Sequence, residues 1–266
     1  MTHNVRLGDY SWPQVEDLLA RDPVVVIPVG AFEQHGHHLP LKVDAHLCGT
    51  VCEAAAERAS AAHPVVVTPT VWTGYSPHHR DFPGTITLDD ATFSAVVGQV
   101  ALSLAGHGFG RIAILNGHGG NANLLKNLIQ TLRYDHGVSA VTAAYWDFAL
   151  KDLATWRQSE PGGIMHACEM ETALMLATAQ DLVQMDKAED VQLHRSRFFG
   201  ADLLAGGPVA AAASFKELSS SGVIGAPSLA TRERGAALLE AMVVAVGDFL
   251  QDFAKWPRPE QEEKTS

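Results

Sequence analysis

The sequence predicts an α/β protein with a largely parallel sheet and helices on both faces. Three observations carry the prediction. Four short apolar runs rich in β-branched residues, at 24–29, 64–69, 111–115 and 138–145, end in loops containing Gly, Pro or Asn and read as buried strands. Helical stretches separate them, and such alternation is the signature of parallel strands joined by crossovers. The composition agrees: 47% of residues are hydrophobic and only 18% charged, which suits close-packed helices on a buried sheet.

Each element has its own warrant. After the first strand, residues 44–62 are Ala-rich with Glu53 and Glu57 on the polar side of a helix. The second strand is followed by 88–106, which opens on Asp89 and Asp90, favourable charges at a helix N-terminus. The third strand leads into 121–136, where Leu124, Leu125, Leu128 and Leu132 recur near helical spacing. Beyond the fourth, residues 151–163 read as a loop or short helix closing on Pro161, Gly162 and Gly163, and a helix starts near Glu169 and runs through Leu174 and Leu176. The stretch 191–221 has no clear period and is expected to be a peripheral excursion or a subunit contact. Residues 231–253 form a long Ala/Leu/Val helix, and the charged tail 257–266 is expected to fray. No linker or internal repeat divides residues 1–256, which read as one domain.

Composition also excludes function classes. With 266 residues, 30 acidic against 19 basic side chains and a net charge of −11, the chain has no Lys/Arg run that would attract a nucleic acid. Three cysteines are too few for a disulfide framework and point to a reducing, cytoplasmic setting. No signal-like start precedes Trp12 and no run of 18 apolar residues occurs, so no membrane association is expected. The outlier is histidine, with 13 copies.

Histidines and acids cluster in three loops. The first follows the first strand: Glu33, Gln34, His35, Gly36, His37 and His38, then Asp44 at the start of the next helix. Ligands of open α/β sheets gather beyond the carboxyl ends of strands. Glu33 and His35, two apart, share one side of an extended segment, and a carboxylate with an imidazole suits a divalent first-row metal. Taken alone, the same residues fit a histidine-rich surface turn. The second loop, Asn116 to Asn121, flanks His118 with glycines. These let the backbone approach a ligand, although such a turn can also bind phosphate. The third is His166, Cys168, Glu169 and Glu171 at the mouth of a helix. A two-residue helical step turns about 200°, so only one of the two acids faces a given ligand. Taken alone, both suit a helix N-terminus. Cys168 beside His166 raises nucleophilic catalysis, but a small Cys among Ala and Met reads as a packed residue. Together the loops supply enough donors for two metal ions sharing a carboxylate, the apparatus for hydrolysing an amide without an enzyme nucleophile.

These motifs resemble those of the creatininase (creatinine amidohydrolase) family, in its N-G-H-G-G-N branch. Residues 30–44 are similar to G-x-x-E-Q-H-G-x-H-L-P-L-x-x-D, 74–88 to S-x-x-H-x-x-F-P-G-T-x-x-L, 166–172 to H-A-x-E-x-E-T, and 222–227 with Ala230, Thr231 and Gly235 to the C-terminal signature. The resemblance implies a three-layer α/β/α amidohydrolase, assembled as a homohexamer, with two divalent ions per chain: Zn²⁺ or Mn²⁺, with Fe²⁺ a further option. It implies Glu33, Asp44 and His118 around one ion, and His35 with the shared Asp44 around the other. Creatininase proper has a ligand Glu two residues after the motif histidine where this chain has Gly120, so Glu169 is the expected replacement ligand. Glu171 is then placed beside the metals or behind His166. The expected mechanism is attack on an amide carbonyl by water held between the metals, with His166 shuttling a proton to the leaving nitrogen.

The expected substrate is a small molecule. Creatinine itself is not expected, because the Trp-Asp pair that precedes the catalytic histidine in creatininase is replaced here by the stretch Pro161 to Met165. Relatives of the family act on formamide-bearing pyrimidines, and one trims a modified precursor peptide in mycofactocin maturation. Tyr75, His78 and Arg80 are expected to line the entrance with His79, and Arg80 to meet an anionic group. His78 and His79 fit solvated loop positions as well. The competing readings are the peptide-trimming role, an inactive metal-binding scaffold, and a phosphate-binding module on the Gly-rich loop.

Overall fold

The computed structural model describes residues 4–193, 196 and 198–258. Four parallel strands, β1 (Val24–Val29), β2 (Val65–Val67), β3 (Arg111–Asn116) and β4 (Ala140–Ala144), form a sheet in the order β2-β1-β3-β4. Helices cover both faces, as the alternation predicts. On one side α2 (Val43–Ala59), α6 (Glu169–Thr178) and α8 (Arg232–Phe253) pack on Val24 and Val26; on the other, α3 (Asp90–Gly106) and α4 (Ala122–His136) pack on Val25, Ile27 and Val29. Successive side chains of an extended strand alternate between faces, so a continuous apolar run in β1 feeds two cores at once.

Pro28 lies within a central strand, where its missing N–H should break a ladder. The sequence around β2 resolves this. Val24 of β1 and Gly30 just after it donate their N–H groups toward the β2 side, to the carbonyls of Pro64 and Val71. Six residues on β1 thus match seven on its neighbour, and β2 has already ended at Val67 when the chain passes Pro28. The absent donor falls where the neighbouring strand bulges away.

Several elements differ from expectation. An N-terminal helix, α1 (Trp12–Leu19), was not anticipated, although Ser11 and Gln14 carry a capping signature: the Ser11 amide donates to Gln14 Oε1 at 2.8 Å. The stretch 151–163 contains a short helix, α5 (Leu150–Trp156), and leads into β5 (Ile164–His166), which pairs antiparallel with β6 (Ile224–Gly225) in a second small sheet. The aperiodic stretch 191–221 is not merely peripheral. Asp202, with its side chain buried, accepts from Arg157 (2.9 Å), from the Gly162 amide (2.8 Å) and from the Leu204 amide (3.1 Å), and the segment ends in α7 (Phe215–Leu218) over the carboxyl ends of the strands. Residues 259–266 of the charged tail lie outside the described residues.

Two stability predictions follow from this packing. Gly235 on α8 abuts α6 so closely that a β-carbon would land on the Ala173 carbonyl. Backbone cannot yield as a side chain can, so Gly235→Ala should destabilise by about 3 kcal/mol, read as a lower urea midpoint. His63 donates from Nε2 to the Asp22 carbonyl at 2.7 Å, and burial, with Arg111 and Arg21 nearby, lowers its pKa. A folded-state pKa below the unfolded value of about 6.5 means the unfolded chain takes up a proton that the folded chain resists. The stability it contributes is present above that value and lost as pH falls through it. Between pH 7.5 and 5.5, urea unfolding should therefore show a larger loss for wild type than for His63→Gln.

Candidate metal centre

The chain leaves β1 toward β2 on one side and β3 toward β4 on the other, so the connections diverge between β1 and β3. Such a switch point leaves a crevice beyond the strand ends. Two asparagines lock the loops that fill it. Asn121 donates to the Gly30 carbonyl (3.0 Å) and accepts from the Tyr75 amide (2.9 Å), while Asn116 accepts from the His118 amide (3.1 Å) and donates to its carbonyl (2.7 Å). The loops after β1, β2 and β3 are thereby tied together.

Into this crevice project Glu33, His35, Asp44, His118 and Glu171, all buried. His35 Nε2 lies 3.1 Å from Asp44 Oδ1 and 3.6 Å from Glu171 Oε1; His118 lies 3.0 Å from Asp44 Oδ2 and 3.4 Å from Glu33 Oε2. Donor atoms of His35, Asp44 and Glu171 fall within 4.8 Å of one another, as do those of Glu33, His35 and His166. Ala167, in the left-handed region at φ +49°, makes the sharp turn from β5 into α6 that brings both His166 and Glu171 against His35. Strain of this kind costs about 1–3 kcal/mol and persists where the surroundings over-determine it.

Whether the residues suit a cation is tested by their unmet polar atoms. Both oxygens of Glu33 and Oδ2 of Asp44 are buried with no hydrogen-bond partner. His79 Nε2, His118 Nε2 and His118 Nδ1 are within ion-pair distance of them, but not aligned to donate. An uncompensated buried carboxylate is strongly disfavoured, and a cation is the partner that accepts lone pairs from several directions. The electrostatics agree. Burial, opposed by His118 and reinforced by Asp44, pushes Glu33 up to about 7. Burial resists charge on His35 and His118 as well, yet the carboxylates prevail: Asp44 and Glu171 hold His35 well above its ordinary value, and Glu33 and Asp44 raise His118 to about 9. Protons on imidazoles here neutralise charge that a divalent ion would neutralise better.

His166 differs. Burial and the neighbouring His35 push it down to about 3. Its Nε2 donates to the Gln34 carbonyl at 2.8 Å, which leaves Nδ1, 3.7 Å from Glu33 Oε1, with a free lone pair.

Residues 8–250 match the Creatininase family, described as creatinine amidohydrolase. The chain belongs to the creatininase family. It is 33% identical over 270 residues to creatinine amidohydrolase of Pseudomonas putida, covering 95% of this chain and 98% of that one. It is also 30% identical over 231 residues to the mycofactocin precursor peptide peptidase of Mycolicibacterium smegmatis, covering 86% and 85%. A solved structure of creatininase in a Mn form superposes with a TM-score of 0.79 at 31% identity, over 96% of this chain and all of the other.

Within this creatininase-family fold, one expected ligand is displaced. Glu169 does not reach the cluster. Its carboxylate accepts the Gln158 and Ser159 amides at 3.0 Å each and faces Arg234 at 3.6 Å. Arg234 in turn lies over the Trp156 ring, 4.7 Å from its centroid. Glu169 thus ties the turn after α5 to α6 and α8, and Glu171, about 200° further around the helix, takes the place beside His35. Glu171 Oε2 also accepts the Cys168 amide at 3.2 Å. Cys168 itself is fully buried, and burial with the Glu171 charge raises its pKa well above the ordinary value, as suits a packed residue rather than a reactive thiol.

Tyr75, His78 and Arg80 line a cavity of about 780 Å³ over the cluster, with Trp146, Met165 and Phe215 on the facing sides. His79 is no solvated loop residue: it is 1% exposed, with Nε2 3.1 Å from Glu33 Oε1 and its ring 4.4 Å from that of His166. It is the histidine of the S-x-x-H spacing counted from Ser76, so the signal was present. Gln34 went unassigned as well; its amide nitrogen lies 2.9 Å from His79 Nδ1 and donates to the Gly222 carbonyl at 3.1 Å. Phe215 had no sequence signal, since it comes from the aperiodic stretch.

Gly120 is constrained by close approach. A β-carbon there would collide with His118 Nε2 and the Tyr75 carbonyl and stand 2.9 Å from His78 Cε1. Gly120→Ala should displace His118, lowering metal occupancy in elemental analysis while α4 still forms.

Proposed function

We propose that the chain hydrolyses an amide, cyclic amide or formamide C–N bond of a small organic molecule, using two divalent ions held by Glu33, His35, Asp44, His118 and Glu171. The observation that carries this is the set of three buried carboxylate oxygens without hydrogen-bond partners, two on Glu33 and one on Asp44, at the base of a cavity lined by Asp44, His118, Glu171 and the imidazole of His166. When bound, the ions supply Lewis acidity toward a carbonyl and lower the pKa of water toward neutrality. The protein's own groups do the rest. His166 accepts and returns a proton at Nδ1, the tautomer being set by the Gln34 carbonyl. Gln34 and His79 hold the imidazoles in register, Trp146 and Phe215 exclude bulk water, and Tyr75, His78 and Arg80 contact the substrate, Arg80 through an anionic group.

The donor set of imidazole nitrogen and carboxylate oxygen accepts Zn²⁺, Mn²⁺ or Fe²⁺, and the solved family structures include Mn and Zn–Zn forms of creatininase. The cavity lies within the roughly 300–1,000 Å³ range of small-molecule sites, so a compact substrate takes precedence over a long peptide. A homohexamer in the cytoplasm belongs to the same reading; the three buried free cysteines suit a reducing compartment, and among the described residues no helix is long and apolar enough to cross a membrane.

The test is a hydrolysis screen of lactams, cyclic ureides, formamides and short peptides on protein reconstituted with Zn²⁺ or Mn²⁺. Turnover of a lactam or formamide, abolished by chelation, is expected. A blank across the panel would favour the scaffold reading, and peptides alone being cut would favour the peptidase.

A further inference from the structure

His78 stands at the substrate cavity and outside the ligand set above, yet its surroundings are those of a positioned donor. Its ring is fixed by rings on three sides: stacked on His118 (centroids 5.5 Å, planes 6° apart), against His79 (4.4 Å) and against Phe215 (5.4 Å). All of this holds the ring through its faces and edges. Among the described residues neither ring nitrogen has a hydrogen-bond partner, whereas each of its neighbours His79, His118 and His166 has one nitrogen engaged. One nitrogen of His78 lies within a 4.8 Å set with donor atoms of Glu33 and His118. Gly120 makes this possible, because any side chain at that position would contest the space of the His78 ring.

We infer that His78 is a protein ligand of the ion held by Glu33 and His118. This rests on the dinuclear reading above. It has a chemical consequence. Glu33, Asp44 and Glu171 bring three negative charges to two divalent ions, and a neutral fourth donor leaves one positive charge uncompensated, favouring substrates with an anionic group or a strongly polarised carbonyl. A nitrogen donor also shifts preference from Mn²⁺ toward Co²⁺ and Zn²⁺.

The test is titration of the metal-free full chain with Co²⁺, in competition with a chromophoric chelator and monitored by the Co²⁺ visible spectrum. Wild type should bind two ions. His78→Phe, which preserves the stacking but carries no nitrogen, should keep one tight ion and weaken the other by about 100-fold or more, since even outer partners of ligands are worth about 10–100-fold. His78→Ala should do the same, and His78→Glu should restore tight binding with relative preference moved toward Mn²⁺. Circular dichroism of each metal-free variant confirms the fold independently. Two ions bound by His78→Phe with wild-type affinities and spectrum would overturn the inference while sparing the dinuclear reading. Fewer than one ion per wild-type chain would overturn both.

Discussion

Glu33→Gln should remove one bound ion and lower turnover by more than about 100-fold, a larger loss than removal of outer-shell partners gives, while the fold survives. The reason lies in the unaligned contacts of the Glu33 carboxylate. Neither oxygen accepts a hydrogen bond, and the residue is fully buried, so without metal its charge destabilises the folded chain. A neutral amide of the same shape removes that penalty. Metal-free Glu33→Gln should therefore melt at or above metal-free wild type, whereas the order reverses when metal is added, because ligand binding stabilises the wild type by about 4 kcal/mol at a thousandfold excess over Kd. Melting curves with and without chelator, beside elemental analysis, check both signs. Two ions and full turnover in the variant would refute the metal centre.

Glu169 and Glu171, two residues apart, should respond in opposite ways. Glu171→Gln should lose the ion held with His35 and Asp44 and most of the activity, with little change in stability, since an amide oxygen can still accept the Cys168 N–H. Glu169→Ala should retain both ions but destabilise the protein by about 3 kcal/mol, the lower end of the range for breaking a buried ion pair. The lower end applies because Arg234 keeps 27% of its side-chain surface exposed while Glu169 is wholly buried. The Gln158 and Ser159 amides also lose their acceptor. Urea midpoints and metal content, measured on both variants, separate the roles. Metal loss in Glu169→Ala with a normal midpoint would reinstate Glu169 as a ligand.

Much of this was legible in the sequence, for reasons that differ between elements. The strands β1 to β4 and the helices α2, α3, α4 and α8 announce themselves because burial on a sheet face or a helix stripe imposes a period on composition. Helix α1 is signalled only by its capping residues, Ser11 and Gln14. The short pair β5 and β6, of three and two residues, is too brief to show a period. The stretch 191–221 shows none; among its described residues, side chains are held one at a time, Asp202 by Arg157 and by two amides, Phe215 by the imidazoles.

The sequence by itself determined the α/β alternation, the three loops at strand ends, and the presence of Glu33, His35, Asp44 and His118 in those loops, because local spacing and strand polarity place them. Tertiary structure alone decided that Glu171 rather than Glu169 faces His35, that His79 is buried against Glu33 with His78 stacked on His118, and that the aperiodic segment roofs the cavity. Helical geometry says that two acids two residues apart point apart. Which of them points inward depends on how β5 turns through Ala167 into α6 and on where Arg234 of α8 arrives, and that contact joins parts of the chain more than sixty residues apart in a direction no local pattern records.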